Sequence, residues 1–224
     1  MALTGEDVRG RRVVVFDFDG TLADTLPTIV ATARTVLLAH GLAEEDLGDL
    51  SRLVGPPFPQ AFSMVYGVSD EEAERITEDY RAIYNHRGLA AWPFFDGIRE
   101  LLVSLRAAGR LTATASSKNV RTLMLGVEDN DAVGLFDVVE GKRADRGDSK
   151  AASIRRALDA LGAAPAEAVM VGDRRFDVEA AREVGLPCVG VTYGHTCDPA
   201  ELVDAGACAL AESVDELGRV LLGT

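Results

Sequence analysis

Val13-Val14-Val15-Phe16 runs without a break into Asp17-Phe18-Asp19-Gly20-Thr21. The first four side chains are β-branched or aromatic and all apolar, which predicts a short strand buried on both faces. Such strands belong to parallel sheets covered by helices on either side. The run stops abruptly at two acids one residue apart, followed by a glycine. In extended backbone, side chains at i and i+2 point the same way, so Asp17 and Asp19 share a side, and Gly20 permits a tight turn just beyond them.

Working outward, comparable apolar runs recur at Leu111–Ala115, Ala168–Val171 and Cys188–Val191, with weaker ones at Val138-Val139 and Ala207–Leu210. Helical patterns separate them. Ile98, Leu101, Leu102 and Leu105 fall on one face and stop at Gly109, and Ile154, Ala157, Leu158 and Leu161 do the same before Gly162. Strands alternating with helices of this length predict an α/β fold built on a doubly wound parallel sheet, a Rossmann-like core.

The stretch between the first strand and Ala91 breaks this alternation, because it reads as helices with no strand among them. It predicts an inserted α-helical cap domain at residues 24–91, with residues 1–23 and 92–224 forming the core. Pro27 suits the first turn of a helix carrying Ile29, Ala33, Val36 and Leu37 and stopping near Gly41. A second helix is expected over Glu44–Leu53, ended by the Gly55-Pro56-Pro57 turn. Ser69-Asp70-Glu71-Glu72 has the form of a capping box opening a third helix through Ala73, Ile76, Tyr80 and Ile83. Trp92-Pro93-Phe94-Phe95 then returns the chain to the core.

Composition narrows the function classes. The 224 residues carry 36 acidic and 23 basic side chains, a formal charge of −13, with 26% charged and 6% aromatic residues. This is the make-up of a globular protein, and its acidic balance argues against a nucleic-acid binder or one docking on anionic membranes, both of which need a basic face. Cys188, Cys197 and Cys208 form no C-x-x-C pair, the first residues lack the apolar core of a signal peptide, and no uncharged run is long enough to span a bilayer. A cytoplasmic setting is the expectation. His195-Thr196-Cys197 reads as loop rather than as part of a zinc site.

In an open parallel sheet, ligands bind beyond the carboxyl ends of the strands. The first strand delivers Asp17 and Asp19 there, the Leu111–Ala115 strand delivers Ser116, Ser117 and Lys118, and the Ala168–Val171 strand delivers Gly172, Asp173 and, after Arg174-Arg175-Phe176, Asp177. Carboxylates this close are sustainable when a divalent cation neutralises them or when one partner keeps a proton, and hard oxygen ligands suit Mg²⁺.

Asp17-Phe18-Asp19-Gly20-Thr21-Leu22 resembles the D-x-D-G-T signature of the haloacid dehalogenase-like hydrolase superfamily, most of whose members are phosphatases. Gly172-Asp173-Arg174-Arg175-Phe176-Asp177 matches that family's G-D-x-x-x-D motif in the expected order. Val54-Gly55-Pro56-Pro57, Ser116-Ser117-Lys118 and Gly190-Val191-Thr192-Tyr193-Gly194 are most similar to the phosphoglycolate phosphatase-like group.

The resemblance implies a Mg²⁺-dependent phosphatase, a monomer or homodimer, acting on a small phosphorylated metabolite, a phosphoglycolate-like monoester, through an aspartyl-phosphate. It makes Asp17 the nucleophile and Asp19 the general acid and base. It implies a metal held by Asp17, Asp173 and the backbone carbonyl of Asp19, phosphate binding by Ser116, Ser117 and Lys118, charge balance by Lys150, and a supporting role for Asp177 behind the metal. Two positions depart from the pattern. Lys150 is followed by Ala151 where related phosphatases often have proline, which leaves Lys142 as a substitute, and Ser116 stands where threonine is common. Thr21 is expected either to cap the turn after Gly20 or to act in the site. Arg52, Arg81 and Arg87 are cap candidates for gripping a substrate carboxylate. A phosphosugar mutase on the same fold, or a non-catalytic binding module, are the alternatives.

Overall fold

The computed structural model describes residues 8–145 and 147–223. Six parallel strands form one sheet: β1 Val13–Phe16, β2 Leu111–Asn119, β3 Val138–Lys142, β4 Ala168–Gly172, β5 Cys188–Val191 and β6 Ala209–Ala211. Their order is β3-β2-β1-β4-β5-β6. The chain therefore winds outward from β1 in one direction and then returns to its other side to continue through β4. β1 lies between β2 and β4, with Phe16 level with Thr114 on one neighbour and Val171 on the other. That register brings the loops after all three strands to one place, the crevice where ligands bind in such sheets.

The strand alternation explains the two helical layers. Val14 and Phe16 face one way and share an apolar cluster with Ile98, Leu102 and Leu105 of α4 (Ile98–Ala107) and with Leu217 and Leu221 of α9 (Val214–Leu222). Val13 and Val15 face the other way, toward Ala151, Ile154 and Leu158 of α6 (Lys150–Leu161) and Val178 and Ala181 of α7 (Arg175–Val184). All four β1 side chains are fully buried, as a doubly covered strand requires. α5 (Val120–Asp129) and α8 (Pro199–Ala205) complete the core.

Between β1 and α4 the described residues form α1 (Leu26–Ala39), α2 (Gln60–Tyr66), α3 (Asp70–Tyr84) and short 3₁₀ turns. The helix expected over Glu44–Leu53 is instead two such turns, Glu44–Asp46 and Leu50–Leu53. Gly48 between them has φ +55°, and Asp49 caps the second turn by accepting a hydrogen bond from the Ser51 N–H. Ser69 caps α3 by accepting from the Glu72 N–H at 3.2 Å, while the Glu72 carboxylate turns to His40 and Arg75.

The two chain crossings beside the sheet are tied together: Asp24 N–H donates to Pro93 O at 2.8 Å and Phe95 N–H to Leu22 O at 3.0 Å. Trp92, fully buried, donates its indole N–H to Asp129 at 2.9 Å. One apolar cluster runs from Phe16 and Phe18 through Trp92 and Tyr84 to Phe62, so the helical segment shares a core with the sheet face. Among the described residues, no helix is long and apolar enough to cross a membrane.

Candidate active site

Asp17 stands at the carboxyl end of β1, its N–H still bonded to Val171 O at 2.9 Å. Its Oδ1 accepts from the Phe18 N–H at 2.7 Å and its Oδ2 from Lys150 Nζ at 2.6 Å. Lys150 opens α6, where Ser149 supplies the helix cap, and the same ammonium donates to Asp177 Oδ1 at 2.6 Å. Burial opposes the charge on Lys150, but the two carboxylates outweigh it and hold the amine protonated well above the usual lysine range. Lys142 lies elsewhere, donating to Asp145 O at 2.7 Å and Gln60 Oε1 at 3.1 Å.

Asp177, in the first turn of α7, is fully buried and accepts a second bond from the Arg174 N–H at 3.0 Å. Burial pushes its carboxyl up to about 6, with Lys150 opposing and Asp17 reinforcing the rise. Asp173, just past β4, is pushed well above the ordinary carboxylate range by burial and then by the charges of Asp177 and Asp17. Asp17, Asp173 and Asp177 each bring a carboxylate oxygen into a group spanning no more than 4.8 Å.

Asp19 faces a different neighbour. Lys118 Nζ lies 3.0 Å from its Oδ1, 3.5 Å from the Tyr84 hydroxyl and 4.6 Å above the Tyr84 ring centre. Burial opposes the Lys118 charge, yet Asp19 raises its pKa overall. Tyr84 belongs to α3, so this contact joins the helical segment to the end of β2. β2 itself extends to Asn119, which places Ser116, Ser117 and Lys118 on the strand rather than beyond it. Its pairing with β3 becomes irregular between Ala115 and Asn119. Ser116 Oγ accepts from the Lys118 N–H at 3.2 Å.

Gly20 makes the meeting of the first and fourth strand ends possible. It has φ +72°, and a Cβ there would lie 2.2 Å from Asp173 Oδ2. Thr21 donates its hydroxyl to Asp173 Oδ1 at 3.1 Å and so supports that acid.

A cavity of about 60 Å³ lies over these groups. Asp17, Asp19, Ser116, Ser117 and Lys118 line it from the sheet, and Leu53, Val54, Phe58, Tyr80 and Asn85 line it from the helical segment. Arg81 reaches its edge but is held by a two-pronged ion pair with Asp145 at 2.9 and 2.7 Å. Arg52 and Arg87 are not among the described residues that line it.

Several contributors escaped the sequence reading. Thr196 donates to Asp173 Oδ2 and Cys197 Sγ to Asp173 O, so the loop read as bland supports a central acid. Burial pushes the Cys197 thiol up to about 12. Tyr193 donates to Thr21 O at 2.7 Å, which places the Tyr193-Gly194-His195 stretch against the D-x-D loop. Arg174 donates to Val54 O and, at 2.9 Å, to Glu201, tying the acidic loop to the turn at Gly55. These pairs lie tens of residues apart or more, so no local spacing announces them.

A parallel sheet whose central strand ends in an acid pair, faced by a buried lysine and two further acids under a helical roof, defines a class of hydrolase. The chain belongs to the haloacid dehalogenase-like hydrolase family, whose model matches residues 14–191. It is 37% identical to the tyrosine-protein kinase PtkA of Mycobacterium tuberculosis over 94% of this chain and 72% of that protein. It is 32% identical to a phosphoglycolate phosphatase of Synechococcus elongatus, covering 92% and 95% of the two chains. A solved structure described as a predicted phosphatase from Clostridium acetobutylicum superposes with a TM-score of 0.89 at 33% identity, covering 96% of this chain and 99% of that one.

Proposed function

We propose that the protein is a Mg²⁺-dependent phosphatase that hydrolyses small phosphate monoesters through a phosphorylated Asp17. The observation that carries this reading is the shared cavity: Asp17 and Asp19 line it together with Ser116 and Ser117, while Lys150 and two further acids back Asp17 from below.

The Asp17 carboxylate attacks phosphorus in line with the departing alkoxide, forming an acyl phosphate. Asp19 acts as the general acid of this step, giving a proton to the leaving oxygen. In the second step it takes a proton from water, which attacks the same phosphorus and returns Asp17 to its free form. Ser116 and the Ser117 N–H bind the phosphoryl oxygens, and Lys118 holds the Asp19 carboxylate toward the leaving group. Lys150 fixes the Asp17 carboxylate through its 2.6 Å bond and offsets part of the local negative charge. Relatives of the phosphoglycolate phosphatase group make phosphoglycolate-like esters the first substrates to try.

The donor set fits Mg²⁺. Three buried carboxylates face one ammonium, every donor is a hard oxygen, and Asp173 bears the like-charge burden described above. Asp17 and Asp173 would hold the ion, with the backbone carbonyl of Asp19 as the resemblance to the family implies, and Asp177 supporting from behind with Lys150. The ion's contribution when bound is to neutralise charge where carboxylate and phosphate approach.

Free-phosphate release from a panel of small monoesters tests the proposal. Release should need Mg²⁺, stop in EDTA and disappear in Asp17→Asn; undiminished turnover in EDTA would overturn the metal assignment, and undiminished turnover in Asp17→Asn the nucleophile. The likeness to a protein named as a tyrosine kinase favours one second reading, in which a nucleoside triphosphate is the donor and a tyrosyl hydroxyl the acceptor. Phosphotyrosine formed from ATP, in place of free phosphate, would mark it.

A further inference from the structure

We propose that Asn85 reads the leaving group, accepting a hydrogen bond from a hydroxyl of the released alcohol, so that the substrate is the phosphate ester of a small neutral polyol. This rests on the phosphatase reading and sets a neutral leaving group against the carboxylate-bearing one of phosphoglycolate.

Asn85 follows α3 directly, and its backbone N–H bonds to Arg81 O at 3.1 Å, which fixes where its side chain begins. It lines the cavity, and its amide oxygen is buried without a hydrogen-bond partner. Buried polar atoms are nearly always satisfied, so one left open at a cavity wall is an acceptor awaiting a donor. Among the described residues, the buried side-chain oxygens in this condition that line the cavity are those of Asp19 and Asn85, and Asp19 is ion-paired with Lys118. Asp19 meets the ester oxygen, which leaves Asn85 for a second polar group on the same alcohol. A hydroxyl suits an amide in either orientation, because it both donates and accepts.

On the helical side Ile29, Leu53, Val54 and Phe58 also line the cavity, beside the rings of Tyr80 and Tyr84, and offer apolar contact to a short carbon skeleton. A carboxylate is poorly matched here. The cationic side chains at the described cavity wall are Lys118 and Arg81, and these are engaged by Asp19 and Asp145. A carboxylate-bearing leaving group would have to displace one of those partners.

The test compares kcat/KM for glycerol 3-phosphate, propyl phosphate and phosphoglycolate, with Mg²⁺, in the wild type, Asn85→Leu and Asn85→Ala. The wild type should prefer glycerol 3-phosphate to propyl phosphate by about tenfold, the scale of one well-made hydrogen bond. It should also place phosphoglycolate behind glycerol 3-phosphate. In both variants the first ratio should fall to within about twofold of one, mostly through KM. A wild-type ratio near one, or a ratio unchanged in the variants, overturns the Asn85 assignment while leaving the phosphatase reading in place. A wild type that prefers phosphoglycolate overturns the neutral-polyol class. If no ester is hydrolysed by the wild type, the phosphatase reading falls and this inference falls with it.

Discussion

Gly20 sits at φ +72°, and a Cβ there would stand 2.2 Å from Asp173 Oδ2 and 2.7 Å from Thr196 Cγ2. Both the backbone conformation and the space exclude a side chain, so Gly20→Ala must displace Asp173 from its Thr21 and Thr196 hydroxyls. We expect kcat/KM to fall by about 10²-fold, the usual consequence of an ångström-scale misplacement in a catalytic constellation, with a lowered Tm. Gly134→Ala, at a position where an added Cβ meets nothing within 4 Å, should change neither quantity. Steady-state kinetics and thermal melts of the two variants check this. The acids themselves were legible because the D-x-D-G-T and G-D-x-x-x-D spacings are local. Their supports were not, since Thr196 and Tyr84 reach the site through contacts that only the folded chain creates.

At the scale of elements, α1 and α3 are joined by His40, which follows the end of α1 and bonds Glu72 at 2.6 Å and Asp79 at 2.8 Å on α3. The bond to Glu72 raises the imidazole pKa, burial opposes this, and Asp79 adds to the rise. A histidine whose folded pKa is raised stabilises fully below its unfolded pKa of about 6.5, and that contribution is lost as pH climbs through the folded value. The wild-type Tm should therefore drop between pH 6 and pH 8 by about 2 °C more than that of His40→Gln. Equal slopes in the two proteins would show that the clamp carries no charge-dependent stability.

Sequence periodicity was informative for α1, α3, α4 and α6, whose apolar stripes are long enough to register. It misread Glu44–Leu53, where Gly48 and the Asp49 cap divide the segment into two 3₁₀ turns, and it passed over the seven-residue α2 (Gln60–Tyr66). It also ended β2 at Ala115, because Ser116, Ser117 and Lys118 carry no apolar signal although they continue the strand.

For the molecule as a whole, the alternation of apolar runs with amphipathic stripes was enough to predict the doubly wound sheet, and the composition to show an excess of acids. Neither shows how the acids divide. Of the excess that gives −13, three carboxylates are withdrawn from solvent into one cluster with Lys150, where burial and repulsion disfavour the charges of Asp173 and Asp177. The folded chain thus holds an electrostatic cost that a bound dication would relieve. Since the cluster does not exist in the unfolded chain, that relief must appear as stability. Mg²⁺ at about 100 times its Kd should add about 2.7 kcal/mol, or roughly 5–10 °C in Tm for a chain of this size. Asp173→Asn should behave in the opposite sense in each condition, raising the Tm of the metal-free protein by removing one buried charge and abolishing the Mg²⁺ response. Calorimetric scans of both proteins with Mg²⁺ and with EDTA decide the matter: an unchanged wild-type Tm would mean that the cluster is balanced by Lys150 alone, and a metal-free Asp173→Asn less stable than the wild type would mean that the Thr21 and Thr196 hydrogen bonds outweigh the repulsion.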